Sequence, residues 1–516
     1  MAKACLVLRA AGSAGQLLAI PQFFRIFAPD FISHLKACSF RDKRGHERSS
    51  VRLPLFSALN KPELMISKTL FSHYQQTLKL GLPISIGQIG TIVLSFADTM
   101  MVGRYDTPSL AAASFVNSVF NLAILLLIGY SFGLTPQVGA LFGQGETASV
   151  GAAVRQALRA NSLFAALLML IMGVGYFFVD RMGQPESLLP LIRPYYLVIL
   201  ASIPFVMLFN VLRQLSDGTM HTKTAMWALW AGNALNILGN WLLIYGVGPF
   251  PELGLLGAGL STLISRIFIV IWISAALLLE RCYKPYLKGF FDVRFDWSEL
   301  RRINAQSLPV SIQMGAETAA FTCCGVMAGW IGKVELAAFQ VIMTVSTLGF
   351  MFYYSLASAM SIRVATFQGM KDWTQLKRSA RAGRDILLAV AVVAGFVFYF
   401  FGAPLIGFFT KDAAVVQMAV MLIPVLIFYQ YADAMQICYA NALRGTAFVK
   451  PMALIALVSY LCIGIPVGYL LGFVFDWKLN GLFLGLPAGL FTAAALFYYY
   501  FRKAMKRNLQ APEGGA

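Results

Sequence analysis

From Met65 onward the chain is a succession of apolar runs separated by short polar loops, and each run is long enough to cross a bilayer. About 20 apolar residues suffice for a spanning helix. By that rule twelve spans are expected, at 80–102, 110–136, 157–179, 194–215, 225–246, 255–279, 308–331, 337–359, 384–406, 416–441, 450–473 and 481–502. In hydrocarbon only helices and closed barrels satisfy their own backbone. These runs are continuous rather than alternating apolar with polar, which excludes a barrel. Composition points the same way. The chain is 58% hydrophobic and 12% charged, with a mean hydropathy of +0.70, whereas soluble domains carry about 25% charged residues. The expected fold is an all-α polytopic membrane protein in the lipid bilayer.

The charges orient it. Arg155, Arg159, Arg213, Lys223, the run from Arg281 to Arg302, Arg363, Lys371, Lys377, Arg378, Arg381, Arg384, Arg444, Lys450 and the stretch from Arg502 to Arg507 fall at alternate ends of the spans. Positive loops stay inside, so these residues and both termini are expected in the cytoplasm, with the spans in the cell (inner or plasma) membrane. The net charge of +18 is spread over loops rather than gathered on a soluble domain, so no nucleic-acid partner is expected. Residues 1–64 are basic, and their apolar stretch is broken by Pro21, Arg25 and Pro29. They read as a misassigned start upstream of Met65, with a basic transit peptide or a disordered cytosolic tail as alternatives.

The two halves echo each other. LPISI at 82–86 answers LPVSI at 308–312, LAAAS at 110–114 answers LAAFQ at 336–340, and DGTMHTK at 217–223 answers RGTAFVK at 444–450. The offset is 226 or 227 residues each time. Six spans per repeat start both copies on the same side, which gives two six-helix lobes related by a parallel pseudo-two-fold. The expected domains are an N-lobe over 65–280, a cytoplasmic linker over 281–306, a C-lobe over 307–505 and a tail over 506–516. Coupling and substrate sites are expected where the repeats meet, near the midplane.

Three acids lie well inside the ends of spans: Asp98, Glu317 and Asp433. Intramembrane carboxylates cost roughly 2.5–3.5 kcal/mol on insertion scales and are functional by default. None has an acid at the equivalent place in the other repeat, so they were not kept as packing features of the duplication. Tyr429, Asp433 and Gln436 share one helical face, and Gln313 lies one turn from Glu317. Two carboxylates, the Tyr429 hydroxyl and nearby carbonyls offer the oxygen ligands a hard cation such as Na⁺ prefers. Repulsion between the two acids also lets a proton take the place of the metal. A structural, hydrogen-bonded acid pair is the plainer alternative. Gln88, Thr91, Ser95 and Asp98 follow helical spacing on the first span, and Asn233, Asn236 and Asn240 form a stripe on the fifth. These polar residues, with Gln313 and Gln436, are candidates to line a substrate cavity; interhelical hydrogen bonding is the competing role. No nucleophile–base constellation is visible, so no enzyme is expected and no cofactor beyond a coupling Na⁺ or H⁺.

FADTMMVGR at 96–104, TPQVGALFGQGE at 135–146, LRQLSDGTMHTK at 212–223, NALNILGNWLLIYG at 233–246, YQYADAMQ at 429–436 and the LRGT after it resemble the multidrug and toxic compound extrusion family, most closely its NorM-like branch. The resemblance covers about residues 70–505. It implies a V-shaped cavity between two lobes that faces the two sides of the membrane in turn. It also implies antiport, in which small amphipathic, mostly cationic drugs or toxic metabolites leave in exchange for Na⁺ or H⁺. On this reading the coupling residues are Asp98, Glu317, Tyr429 and Asp433. A second branch builds an N-lobe cation site from positions matching Asn236 and Asn240; here the second is an amide where an acid often stands. The protein is expected to act as a monomer. The alternative function is a lipid-linked oligosaccharide flippase of the same superfamily, but such relatives carry several basic residues in the cavity. Here only Arg266 lies deep within a span.

Overall fold

A computed structural model describes residues 70–292 and 296–510; the reading of residues 1–64 lies outside this range. The described chain is helical throughout its apolar runs. The first six spans are Leu70–Tyr105, Thr107–Ser131 continued by Leu134–Gln144, Thr147–Tyr176, Leu189–Gly218, Thr222–Tyr245 and Gly254–Leu279. The last six are Trp297–Ile331, Lys333–Gly369, Trp373–Phe409, Ala413–Met421 with Ile423–Gly445, Met452–Val474 and Lys478–Gln510.

Among the described residues, nine helices are long and apolar enough to cross a membrane, and the bent pair at 413–445 makes a tenth. The remaining two spans, the fifth and the seventh, are full-length helices of 24 and 35 residues. Their apolar content is diluted by Asn233, Asn236 and Asn240 in one and by Gln313 and Glu317 in the other. The least membrane-like helices are those that carry the candidate site.

The core has two large clusters and a small third one, Leu80, Ile84, Ala359 and Ile362, between the first and eighth spans. One large cluster runs from Val102 to Ile303, the other from Val310 to Met505 with Phe132 added. These two are the lobes of the repeat. Loop acids begin several helices: Asp106, Asp296, Asp372 and Asp412 each accept a backbone N–H in the first turn, at 2.8–3.0 Å. Such caps are worth about 0.5–2 kcal/mol each.

Several expectations change. The linker is not a plain loop, because Lys284–Asp292 forms a helix packed on the third span and the seventh span already begins at Trp297. The last helix continues past 505 to Gln510. The tenth span bends by 52° between Met421 and Ile423. Pro424 at the start of its second part explains the break, since proline lacks the N–H and crowds the preceding turn. The eleventh span holds two π-helical stretches, Leu457–Gly464 and Leu470–Val474, on either side of Pro466. By contrast, Pro83 leaves the first span continuous.

The lobes meet at the end of the bundle formed by the start of spans one and seven and the end of spans two and eight. Gly139 and Gly143 are spaced as in small-xxx-small helix contacts. A Cβ on Gly143 would stand 2.2 Å from Thr366 O, and one on Gly369 would stand 2.0 Å from Ala140 O. The second and eighth spans therefore touch backbone to backbone. Ser311 Oγ donates to Leu126 O at 2.7 Å, Tyr74 OH donates to Asp385 Oδ2 at 2.9 Å, and Tyr130 OH donates to Asn304.

Arg363, read from sequence as a loop charge, is a correction. It is 1% exposed inside the eighth span. Its guanidinium donates to His73 O at 2.5 Å, His73 Nδ1 at 2.7 Å, Thr77 Oγ1 at 2.7 Å and Gln76 Oε1 at 2.9 Å, all on the first span. His73 Nε2 then donates to Gln375 Oε1 at 2.8 Å on the ninth. Arg213 and Arg444 are likewise buried in helices, the first paired with Asp217 at 3.1 Å and the second stacked 4.8 Å over Phe132.

Candidate functional site

Glu317 and Asp433 come together within the C-lobe. They lie near enough to interact electrostatically, and the Tyr460 hydroxyl of the eleventh span is in hydrogen-bonding reach of Glu317. Gln313 Nε2 donates to Glu317 Oε2 at 2.9 Å, and Gln436 Nε2 donates to Tyr460 OH at 2.7 Å. Asp433 is 1% exposed, and both its carboxylate oxygens are buried without a hydrogen-bond partner. A buried carboxylate left unpaired is costly; an ion or a proton arriving at those oxygens would relieve that cost. Beside Glu317 a small pocket is lined by Glu317, Phe321, Cys324, Tyr460, Gly464 and Leu486, among others. The π-helical stretch of the eleventh span supplies Tyr460 and Gly464 to this pocket, and π-bulges often mark functional sites.

Tyr429 stands beside the acids, and its ring packs edge-on to Phe321 at 6.2 Å. Tyr460 was not visible in the sequence, because a lone tyrosine in an apolar run reads as packing. Among the described residues no three His, Cys, Asp or Glu side chains gather into a metal cluster. Two acids with hydroxyl and amide oxygens instead suit a proton or a weakly held monovalent cation.

Asp98 belongs to a separate N-lobe cluster. Asn240 Nδ2 donates to Asp98 Oδ1 at 2.5 Å, and the Asn236 amide, oriented by its surroundings, donates at 2.9 Å. Asn233, Asn236, Asn240, Gln313 and Gln436 are all buried within their lobes. Thr91 and Ser95 are exposed and Gln88 is half-buried; none of the three bonds to Asp98.

The exposed polar residues form their own pattern. Thr91, Ser95 and Thr99 on the first span, Ser118 and Asn121 on the second, Thr322 on the seventh, and Gln340 and Thr344 on the eighth are all exposed. These four helices flank the seam between the lobes, on the side away from the backbone contacts. Spans rarely turn polar groups to lipid, so the pattern describes a cleft between the lobes that is shut at one end.

A two-lobed, internally duplicated bundle of spanning helices with acids inside each lobe defines a class of polytopic membrane protein. The MatE family model matches residues 83–242 and 309–470. Its two matches begin at the same 226-residue offset as the internal repeat. The chain belongs to the MatE, or multidrug and toxic compound extrusion, family.

Among relatives, it is 29% identical over 440 residues to the multidrug resistance protein NorM of Vibrio cholerae, covering 81% of this chain and 93% of that one. It is 26% identical over 436 residues to a probable NorM of Photorhabdus laumondii, covering 83% and 96%. Two solved structures share the fold. One is an outward-facing multidrug resistance MATE transporter, with TM-score 0.76 and 19% identity, covering 85% of this chain and 97% of that one. The other is a eukaryotic MATE transporter, with TM-score 0.76 and 17% identity, covering 85% and 99%.

Proposed function

We propose that the protein is a cation-coupled antiporter. It exports small amphipathic, mostly cationic drugs or toxic metabolites by alternating access, and Na⁺ or H⁺ enters in exchange. The observation that carries this reading is the Asp433 carboxylate, buried with both oxygens unpaired beside Glu317. The names of the relatives support the substrate class. The spans lie in the cell membrane with both termini cytoplasmic, and the closed end carrying Arg363 and Arg444 faces inward.

Coupling follows from linkage. A ligand shifts a two-state equilibrium only by its differential affinity for the two states. The empty C-lobe site is negative and favours a cationic drug in the cleft. A cation or proton at Glu317 and Asp433 cancels that charge, lets the acids stay buried and releases the drug outward. Gln313 and Gln436 hold the acids and Tyr460 in place, and Tyr429 and Phe321 pack around them. No step is a bond rearrangement, so the reading is of a transporter and not an enzyme. The flippase alternative weakens, because the one basic residue deep within a span, Arg266, bonds Ser202 inside the N-lobe.

The test is drug efflux in inverted vesicles under an imposed Na⁺ or pH gradient. The Glu317→Gln and Asp433→Asn variants are expected to reach the membrane but lose gradient-driven efflux. Efflux of wild-type size by the double variant would refute the assignment.

A further inference from the structure

At the closed end of the seam, Arg363 fixes the proton of a histidine. A guanidinium only donates, so His73 Nδ1, 2.7 Å from Arg363 Nη2, is the acceptor of that bond. The ring proton therefore sits on Nε2, which donates to Gln375 Oε1 at 2.8 Å. The ring is 1% exposed and lies against Phe367, with centroids 5.7 Å apart. Arg363 meets three further acceptors on the same helix, His73 O, Thr77 Oγ1 and Gln76 Oε1, at 2.5, 2.7 and 2.9 Å. All four acceptors are neutral groups. One buried cation thus ties the first span, of one lobe, to the eighth, of the other, and the tie needs a bare Nδ1.

A proton on Nδ1 takes that acceptor away, sets N–H against N–H and places a second cation beside the first. The charges around the ring do not offset this. Asp372 and Arg378 both lie within electrostatic range and are opposite in sign; Asp372 already caps the ninth span by accepting the Gln375 N–H at 3.0 Å. Asp385, farther along that span, is held by Tyr74 at 2.9 Å and by Arg384 at 2.7 Å. The fifth span, packed on the other side of the first, brings only Lys223 at its exposed start.

We propose that His73 Nδ1 is a proton-binding site that excludes the Arg363 bond, so that a cytosolic proton is taken up there only as the lobes part at this end. The site is separate from the coupling acids Glu317 and Asp433. It rests on the alternating-access reading above, in which this end faces inward. Linkage sets the sign: a ligand that binds only the open arrangement shifts the equilibrium toward it. The end stays shut above the ordinary histidine range, about pH 6.5, and opens to the cytosol as pH falls through it. Histidine is the side chain whose charge changes over that interval. An acidified cytosol would then load drug into the cleft more readily.

The experiment measures the opening of this end in the purified full-length protein. Spin labels are placed by Lys223→Cys and Lys377→Cys in a cysteine-free background; both positions are exposed, one in each lobe. Their distance distribution is read by pulsed electron resonance from about pH 8 to about pH 5.5, on either side of the histidine range. The open-to-closed ratio is expected to rise as pH falls, by up to about tenfold per pH unit, the slope of one proton. His73→Asn keeps an acceptor near the place of Nδ1 but does not titrate, and is expected to stay closed throughout. His73→Lys carries a fixed charge and is expected to be open at every pH. The Glu317→Gln, Asp433→Asn background is expected to keep the pH response, which separates this site from coupling, whose own readout is efflux. A flat wild type overturns the proposal. So does a response that survives His73→Asn or one that vanishes with the C-lobe acids. If His73→Asn does not fold, imidazole ¹⁵N spectra of the wild type decide: Nδ1 bare in the closed protein, and imidazolium appearing in step with opening, support the site. The other tautomer, or protonation without opening, overturns it.

Discussion

At the scale of single residues, the two lobes show two ways to keep an acid inside a membrane. Asp98 is answered by amide donors; Asp433 is answered by nothing in the chain itself. Tyr460 accepts from Gln436 and lines one pocket with Glu317. A hydroxyl bonded to a charged carboxylate is worth about 1.5–3 kcal/mol. Tyr460→Phe is expected to weaken coupling-cation affinity roughly tenfold or more, read as a higher Na⁺ or H⁺ concentration for half-maximal efflux, with protein level unchanged. An unaltered half-maximal concentration would remove Tyr460 from the site. The acids themselves were legible in the sequence, since a carboxylate in an apolar run stands out. Their partners were less so. Gln313 followed from helical spacing to Glu317, but Tyr460 comes from another span, and no periodicity relates the eleventh helix to the seventh.

At the scale of elements, each cap and break has a local cause. The seventh span begins on Asp296, whose carboxylate accepts the Ser298 N–H at 2.8 Å. That bond, with one from the Ser298 hydroxyl, holds the Asp296 carboxyl below the usual carboxylate range. A depressed carboxyl supports the helix start above its unfolded value, and the support is lost as pH falls through the folded value. Amide exchange over 298–300 is therefore expected to quicken below about pH 4, near the ordinary aspartate range, and Asp296→Ala should show the fast rate already at neutral pH. The glycines of the lobe contact are an element-scale matter too. Gly143→Leu places a side chain where Thr366 O stands. It is expected to part the second and eighth spans, measured as a longer spin-label distance between the lobes at this end. An unchanged distance would show that the contact is not what closes it. The sequence placed the twelve spans within a turn or so at most boundaries. It did not show the 52° bend of the tenth or the helix in the linker, because both depend on what the chain packs against.

At the scale of the whole molecule, the duplication legible in three short echoes organises everything else: two cores, one seam, a cleft open on one side of it. The cleft predicts a pattern of access. In a cysteine-free background, Thr91→Cys, Ser95→Cys and Thr344→Cys should react with a membrane-impermeant maleimide added from outside. Phe400→Cys, on the exposed face of the ninth span, should not. Equal labelling of all four positions would mean that the polar residues do not line a wet passage. Reading basic residues as loops hid Arg363, because counting them does not separate a solvated loop from a guanidinium held by four bonds inside the seam.

The contact of Gly139 and Gly143 with the eighth span, and of Gly369 with Ala140, has one more consequence. In the proposed transporter it is part of the insulation between the two sides of the membrane, main chain against main chain. Around it the seam is filled by side chains held in place by hydrogen bonds, Arg363 among them. A bulky substitution there would do more than slow a pump. It would open a short circuit through which protons run down their gradient, harming the cell even when no drug is present.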